Sequence, residues 1–260
     1  MNVEVKREAR TRGTMVGAPA LPRSALHTMT AAILAGGLGT RLRPVVGNRP
    51  KVLAPVHGRP FLVHLLHRLA AAGIRKTVLL TGYRAEQVFQ AVGQNHNGME
   101  LVYSVEAQPL GTGGALRNAL GDLSSSTVLL LNGDSWCDAD LEDLGHFHHR
   151  RAADVSMVLA RVEDPARFGT VVLLPDTRVE RFEEKQTGAA GWIYAGIMLI
   201  ARALIEDLPP GPASLERDLL PRWLGERKRV FGYRHAGAFL DIGTPASYAL
   251  AEAVIPLPDL

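Results

Sequence analysis

Ala31-Ala32-Ile33-Leu34-Ala35 runs straight into Gly36-Gly37-Leu38-Gly39-Thr40, and Arg41, Arg43 and Lys51 follow at once. An apolar strand that ends on glycines leaves bare backbone N–H groups where an anion can approach them closely. With mobile cations next in line, the turn is a place for a polyphosphate. Two familiar loops are excluded by spacing. No Gly-Lys-Ser/Thr closes the run, as a P-loop would require. Pro44 and Pro50 bar the immediate long helix that follows the glycines of a dinucleotide fingerprint. Close packing of a strand against a helix also favours glycine, and that plainer reading stays open at this point.

The chain after the loop alternates strands with helices. A short extended piece is expected at 52–56. A helix is predicted over 61–72, with apolar residues at 61, 62, 65, 66 and 69 and Gly73 as its stop. Strands are predicted over 76–81, 100–105 and 128–131, and helices over 85–92 and from Gly111 through Leu120. Nearly continuous apolar strands of this kind belong to a parallel sheet covered on both faces. Ligands of such sheets sit beyond the carboxyl ends of the strands. Ala35-Gly36, Glu106 to Gly111 and Asp134 all stand at such ends and can meet at one cleft.

The second half has another texture. Strands near 154–161, 170–174, 179–183 and 193–200 are joined by turns. Helices near 202–207, 214–224 and 245–254 and strands near 229–234 and 238–241 complete the pattern. The expected organisation is a flexible extension over 1–28 and one domain over 29–260, with halves of about 30–150 and 151–255.

Charge and cysteine content narrow the function. Residues 1–28 carry Lys6, Arg7, Arg10, Arg12 and Arg23 against Glu4 and Glu8, which accounts for the whole net charge of +3. The rest of the chain balances, so no basic stripe for nucleic acid is expected. No apolar run reaches the length of a membrane span. The single cysteine, Cys137, excludes an internal disulfide and a multi-cysteine metal site and fits a reducing cytoplasm. His64, His67, His146, His148 and His149 fall on predicted helices and read as part-exposed side chains rather than ligands.

Asp134 follows the strand VLLLNG, and Asp241 stands in FLDIGT, again at a strand end before a glycine. Two carboxylates from distant points in the chain suit Mg²⁺, a hard cation that takes its other ligands from phosphate and water. Each could equally cap the helix that follows it.

G-G-x-G-T-R-L-R-P with Pro50-Lys51 resembles the signature of the sugar-phosphate nucleotidyltransferases, which join a nucleoside triphosphate to a sugar 1-phosphate. The resemblance extends over about residues 30 to 253. It implies the α/β fold of that family, Rossmann-like, with a mostly parallel sheet covered by helices on both faces and an integrated sugar-binding half. It implies that Leu34, Gly36, Gly37, Gly39 and Thr40 wrap the nucleotide, with Arg41 and Lys51 on its phosphates. Asp134 and Asp241 match the metal ligands, with Mg²⁺ as the cofactor.

The stretch from Glu106 to Gly113 looks like the base-recognition loop, with Gln108, Gly111 and Thr112 on the nucleotide. Phe182-Glu183-Glu184-Lys185 matches an E-E-K element, in which Glu184 takes sugar hydroxyls and Lys185 the sugar 1-phosphate. Gly169 follows an aromatic residue in a turn that the family places beside the sugar. Tyr194 and Gly196 occupy the N-A-G position, where Tyr194 replaces the usual Asn.

Within the family the motifs are most similar to guanylyltransferases of D-glycero-α-D-manno-heptose 1-phosphate. That resemblance implies GTP as the nucleotide and a homodimer by family habit, while the balanced charge and the lack of long apolar runs predict no nucleic-acid or membrane partner. Mannose-1-phosphate guanylyltransferases share much of the pattern, and sugar-1-phosphate enzymes using UTP, dTTP or CTP stay in view. A non-catalytic regulator that binds nucleotide sugars is the alternative of a different class; loss of Arg41, Lys51 or either Asp would have pointed to it.

Overall fold

The computed structural model describes residues 25–165, 168–183 and 190–257. Its first half is a parallel sheet. Strand β1 (Thr30–Leu34) lies between β2 (Lys76–Thr81) and β4 (Thr127–Asn132), and β2 pairs with β3 (Met99–Val105), all in parallel. Alternate residues of these strands serve opposite faces, as the pleat requires. Ile33, Leu79, Leu129 and Leu131 join one core; Ala32, Val78, Leu80, Val128 and Leu130 join the other. Both faces are covered, so both sets had to be apolar.

Helix α1 (Phe61–Ala71) buries Phe61, Leu62, Leu65, Leu66 and Leu69, the expected stripe. It ends as Gly73 turns to φ +89°, with Gly73 N–H donating to Ala70 O at 2.9 Å and Ile74 N–H to Leu69 O at 3.0 Å. Those are the two bonds of a glycine-stopped helix end. Helices α2 (Ala85–Val92), α3 (Gly111–Asn118) and α4 (Leu141–Arg150) follow. Asp140 caps α4, accepting from the N–H groups of Glu142 at 2.8 Å and Asp143 at 3.0 Å.

A short pair follows β4. Strand β5 (Ser135–Cys137) runs antiparallel to a strand much later in the chain, Phe239–Asp241. The second half then extends the sheet through β6 (Val155–Val162), β7 (Thr170–Leu173), β8 (Val179–Glu183), β9 (Gly191–Ala201) and β10 (Val230–His235). The eleven-residue β9 is the seam: Ile197 to Ala201 pair antiparallel with β4, while Gly191 to Tyr194 pair with β6. The register shifts between Tyr194 and Met198, where Gly196 takes φ +81°. The sheet is therefore parallel around β1 and largely antiparallel beyond β4. The strand at Phe239–Asp241 is β11.

Some predicted boundaries move. The stretch at 51–53 is a 3-10 turn rather than extended chain. The helix expected over 214–224 is a π-helical turn, Leu215–Leu219, running into α5 (Leu220–Gly225). Pro221 has no N–H to donate and so interrupts a regular ladder there. The last expected helix divides into Pro245–Tyr248 and Ala251–Val254. Ala25–Thr28 form a 3-10 turn whose Leu26 is buried, so the packed chain starts upstream of Met29. No helix among the described residues is long and apolar enough to cross a membrane.

His64 and His148 correct the expectation of surface histidines. Both are buried, on the Val56 carbonyl at 3.0 Å and the Ser156 hydroxyl at 2.9 Å respectively. The helical period puts each on the core face, where one ring nitrogen of each finds a hydrogen-bond partner; His64 Nδ1 is buried with no partner among the described residues. Cys137 is buried, as expected of a filler residue, and burial pushes its thiol pKa up.

Candidate active site

The sheet places four strand ends side by side. Ala35 N–H donates to Leu80 O at 2.8 Å, Gly133 N–H to Leu34 O at 3.0 Å, and Glu106 N–H to Thr81 O at 2.9 Å. The chain leaving β1, β3 and β4 thus diverges from one line, and a cavity of about 590 Å³ opens above it. Leu34, Gly36, Gly37, Gly39, Lys51, Gln108, Gly111, Thr112 and Asp134 all line this cavity. The sequence proposed each of them for one site, and the fold brings them to one.

The close approaches explain several glycines. Gly39 adopts φ +58°, and a β-carbon there would lie 3.0 Å from Lys51 Cβ, so the loop folds back on the lysine. A β-carbon at Gly133 would strike the Leu34 carbonyl oxygen. Gly111, at φ +70°, starts α3 against Ala213 O. That start is held from the second half of the chain. Ala213 N–H donates to Leu110 O at 2.9 Å, Gly113 N–H to Ala213 O at 2.8 Å, and Leu215 N–H to Thr112 Oγ1 at 2.7 Å. Thr112 in turn donates to Glu216 Oε2 at 3.2 Å, so its hydroxyl binds the π-helical turn and not its own helix.

At the other end of the cavity the Lys51 ammonium forms an ion pair with Asp134 Oδ2, and the Ser135 hydroxyl donates to Asp134 Oδ1 at 3.2 Å. Asp241 arrives by strand pairing. It stands opposite Ser135 in the β5–β11 ladder, and Ile242 N–H donates to Asp134 O at 2.9 Å. Asp241 Oδ1 accepts from Gly243 N–H at 3.1 Å, so each aspartate is oriented by a neighbour. Among the described residues no group of three or more His, Cys, Asp or Glu side chains could hold a metal. Asp134 and Asp241 would offer two carboxylates, all hard oxygen. That suits a cation such as Mg²⁺, which is usually bound through one or two carboxylates with substrate phosphate completing the shell.

The remaining candidates divide. Thr40 and Arg41 are exposed and do not line the cavity. Gly169 is exposed, but its neighbour Phe168 packs edge-on to Phe239 of β11 at 5.8 Å, which sets that turn beside the Asp241 strand. Gly196 is buried, and a β-carbon there would meet Asn132 Cβ at 3.1 Å and Ser135 Cβ at 3.0 Å. The Tyr194 hydroxyl is buried with no hydrogen-bond partner among the described residues. Burial first, and then the charges of Glu216 and Asp134, hold its pKa well above the usual phenol value. Glu184 and Lys185 lie outside the described residues.

Among the lining residues that received no individual role from the sequence are Glu106, Asn132 and Tyr83. Glu106 follows β3 just as Asp134 follows β4, so the same strand-end signal marks it. Its Oε2 accepts from Leu110 N–H at 3.1 Å, and β-carbons at Gly36 or Gly82 would lie within 2.9 Å of its Oε1. Tyr83 lies between two cations, Arg43 at 5.4 Å and Arg84 at 5.3 Å from the ring centroid. Arg84 is its neighbour in sequence; the Arg43 contact joins separate segments, and nothing in the local sequence signals it.

Comparison with known proteins agrees with this geometry. The model of the nucleotidyl transferase family matches residues 30–256. The chain is 39% identical over 246 residues to a mannose-1-phosphate guanylyltransferase of Mycobacterium tuberculosis, covering 91% of this chain and 68% of that protein. It is 35% identical over 225 residues to the D-glycero-alpha-D-manno-heptose 1-phosphate guanylyltransferase of Aneurinibacillus thermoaerophilus, covering 86% and 97%. Among solved structures, HddC from Yersinia pseudotuberculosis complexed with GMP-PN superposes with a TM-score of 0.78. It is 30% identical and covers 86% of this chain and 98% of its own.

Proposed function

The chain belongs to the nucleotidyl transferase family, and we propose that it is a guanylyltransferase joining GTP to D-glycero-α-D-manno-heptose 1-phosphate, with release of pyrophosphate. The observation that carries this reading is that one cavity is lined both by Glu106 and by the Lys51–Asp134 pair. Glu106 supports the choice of base. An ionised carboxylate only accepts hydrogen bonds. Guanine alone among the common bases presents two adjacent donors, N1–H and N2–H. The Leu110 N–H that Glu106 accepts leaves lone pairs free for that edge. Backbone at Gly111 and the Gln108 side chain would complete the base site.

The chemistry needs no general base, because the attacking oxygen of a sugar 1-phosphate is already an anion at neutral pH. It attacks the α-phosphorus, and the bond from that phosphorus to the bridging oxygen of pyrophosphate breaks. The two substrates repel each other, so the protein's work is placement and supply of positive charge. Lys51 would hold the α-phosphate, Arg41 the β- and γ-phosphates, and Lys185 the incoming phosphate. Arg41 stands exposed beside the glycine loop, from which it can reach the outer phosphates. Glu184, Gly169, Tyr194 and Gly196 are assigned to the sugar. Enzymes of this family generally use a divalent metal; Asp134 and Asp241 would hold it as Mg²⁺, where it neutralises phosphate charge.

Mannose 1-phosphate is the second reading, favoured by the 39% identity to the mycobacterial relative. The heptose reading has a different support: the relative of that name is matched over 97% of its length. Pyrophosphate release, measured with each of the four nucleoside triphosphates against both sugar phosphates, tests the proposal. The expected result is release with GTP and a manno-configured sugar 1-phosphate. Absence of release with every pair rejects it.

A further inference from the structure

The strand order β3–β2–β1–β4–β9 spreads the cavity across the sheet. On the reading above, the base lies over the ends of β2 and β3, and the triphosphate over the glycine loop that leaves β1. Whatever lies over β4 and β9 is on the far side of the phosphates from the base. Asn132 is the last residue of β4. It pairs with Leu34 on one side and meets Gly196 of β9 on the other. The glycine at 196 is what leaves room for it.

Asn132 lines the cavity, and its Oδ1 is buried with no hydrogen-bond partner among the described residues. A buried amide oxygen without a partner is uncommon and costly in native proteins, so an orphan at a cavity wall points to a ligand. A half-turn about the last torsion exchanges its oxygen and nitrogen, so the group can offer an acceptor or a donor to the cavity. The buried hydroxyl of Tyr194 is a second polar atom without a partner among the described residues, on the strand that faces Asn132. A carboxamide that both donates and accepts matches a hydroxyl, which does the same; it is a poor match for a phosphate.

We propose that Asn132 is a specificity-determining residue that hydrogen-bonds the hydroxyl on the carbon next to the anomeric carbon of the acceptor, selecting manno-configured sugar 1-phosphates. The inference rests on the guanylyltransferase reading of the cavity. Asn132 is two residues from Asp134, across the turn that ends β4. With the phosphates at Asp134 and Lys51, the first hydroxyl within reach on the acceptor side is the one beside the phosphate-bearing carbon.

The test is steady-state kinetics with GTP and either mannose 1-phosphate or its 2-deoxy analogue. The wild-type protein is expected to use mannose 1-phosphate about ten- to hundredfold better by kcat/KM. Asn132→Leu, close in shape, should lose that preference by falling on mannose 1-phosphate alone, with KM for GTP unchanged. Asn132→Ala gives the same readout should the leucine variant fold poorly. Equal losses on both sugars, or a raised KM for GTP with the sugar preference intact, would overturn the proposal. A wild-type protein inactive with every sugar 1-phosphate would instead reject the guanylyltransferase reading on which it stands.

Discussion

The Lys51 ammonium rests on the Asp134 carboxylate, joining the segment after the glycine loop to the end of β4. The lysine side chain is 13% exposed and the aspartate 31%, so neither is freely solvated. Each therefore holds the other in place, at the position where the proposed reading would bind phosphate and cation. Asp134→Ala should cut turnover by about 10²–10³ or more, as should Lys51→Met, with cooperative melting retained in both. Pyrophosphate release and a thermal melt read the two effects. An Asp134→Ala protein with a tenth of wild-type turnover would remove Asp134 from the site.

Glu106→Gln removes the charge and one acceptor while keeping the shape. With the carboxylate reading the N1–H and N2–H edge, KM for GTP should rise about ten- to hundredfold, and the preference over ATP, UTP and CTP should shrink. Gln108 is exposed at the rim, so Gln108→Ala should change the same constants far less. Competition between the four nucleotides in one assay gives the ratio directly. An unchanged ratio in Glu106→Gln assigns base selection elsewhere.

The positions of Leu34, Gly36, Gly39, Lys51, Gly111 and Asp134 around one cavity were legible because each stands at the carboxyl end of an apolar strand, or directly follows the loop that leaves one. Asp241 was marked by its strand end before a glycine, but how it meets Asp134 was not legible: that depends on the pairing of β5 with β11, strands about a hundred residues apart whose three-residue pattern carries no register. The turn from β9 to its two partners was invisible for a related reason, since a buried apolar run pairs as readily in parallel as antiparallel. The docking of residues 213–216 on the start of α3 rests on backbone hydrogen bonds, which composition does not reveal.

Leu26 carries a prediction about where the fold begins. Its side chain is buried in the core that includes Leu141 and Leu144 of α4, and the neighbouring His27 Nδ1 lies 2.8 Å from Gly73 O. A truncated protein starting at Met29 should be less stable than one starting at Ala25, by about 2–3 kcal/mol for the lost side chain. Urea melts of the two proteins compare them; equal midpoints would place Leu26 outside the folding unit.

His148 makes stability depend on pH. Burial holds its imidazole pKa down to about 4, against the ordinary 6.5, and the Ser156 hydroxyl keeps the neutral ring satisfied. Above pH 6.5 both folded and unfolded chains carry it neutral. Between 6.5 and 4 the unfolded chain takes up a proton that the folded chain refuses, so stability falls as pH falls. The contribution is about 1.4 kcal/mol per pH unit over that window, and burial also lowers the pKa of His64 and His96, which act in the same direction. Calorimetry at pH 7 and pH 4.5 should show a smaller drop in Tm for His148→Gln than for the wild-type protein. An equal drop would mean that the ring titrates in the folded state as it does in water.

Gly111 is where the base loop, α3 and the second half of the chain meet, and a methyl group there should be felt in binding as well as in stability. Its φ of +70° is strained for any residue with a β-carbon, and that carbon would lie 2.7 Å from Ala213 O, a backbone atom that cannot swing away. Gly111→Ala should therefore cost about 1–3 kcal/mol and displace the 213–215 segment that holds Thr112. With the loop displaced, KM for GTP should rise while KM for the sugar 1-phosphate changes less. Gly121 is the control: its φ is not in the left-handed range and its β-carbon would meet open space. Gly121→Ala should be neutral or raise stability by reducing the freedom of the unfolded chain. Equal melting temperatures and equal GTP constants for the two variants would show that the contact at Ala213 has no part in shaping the base site.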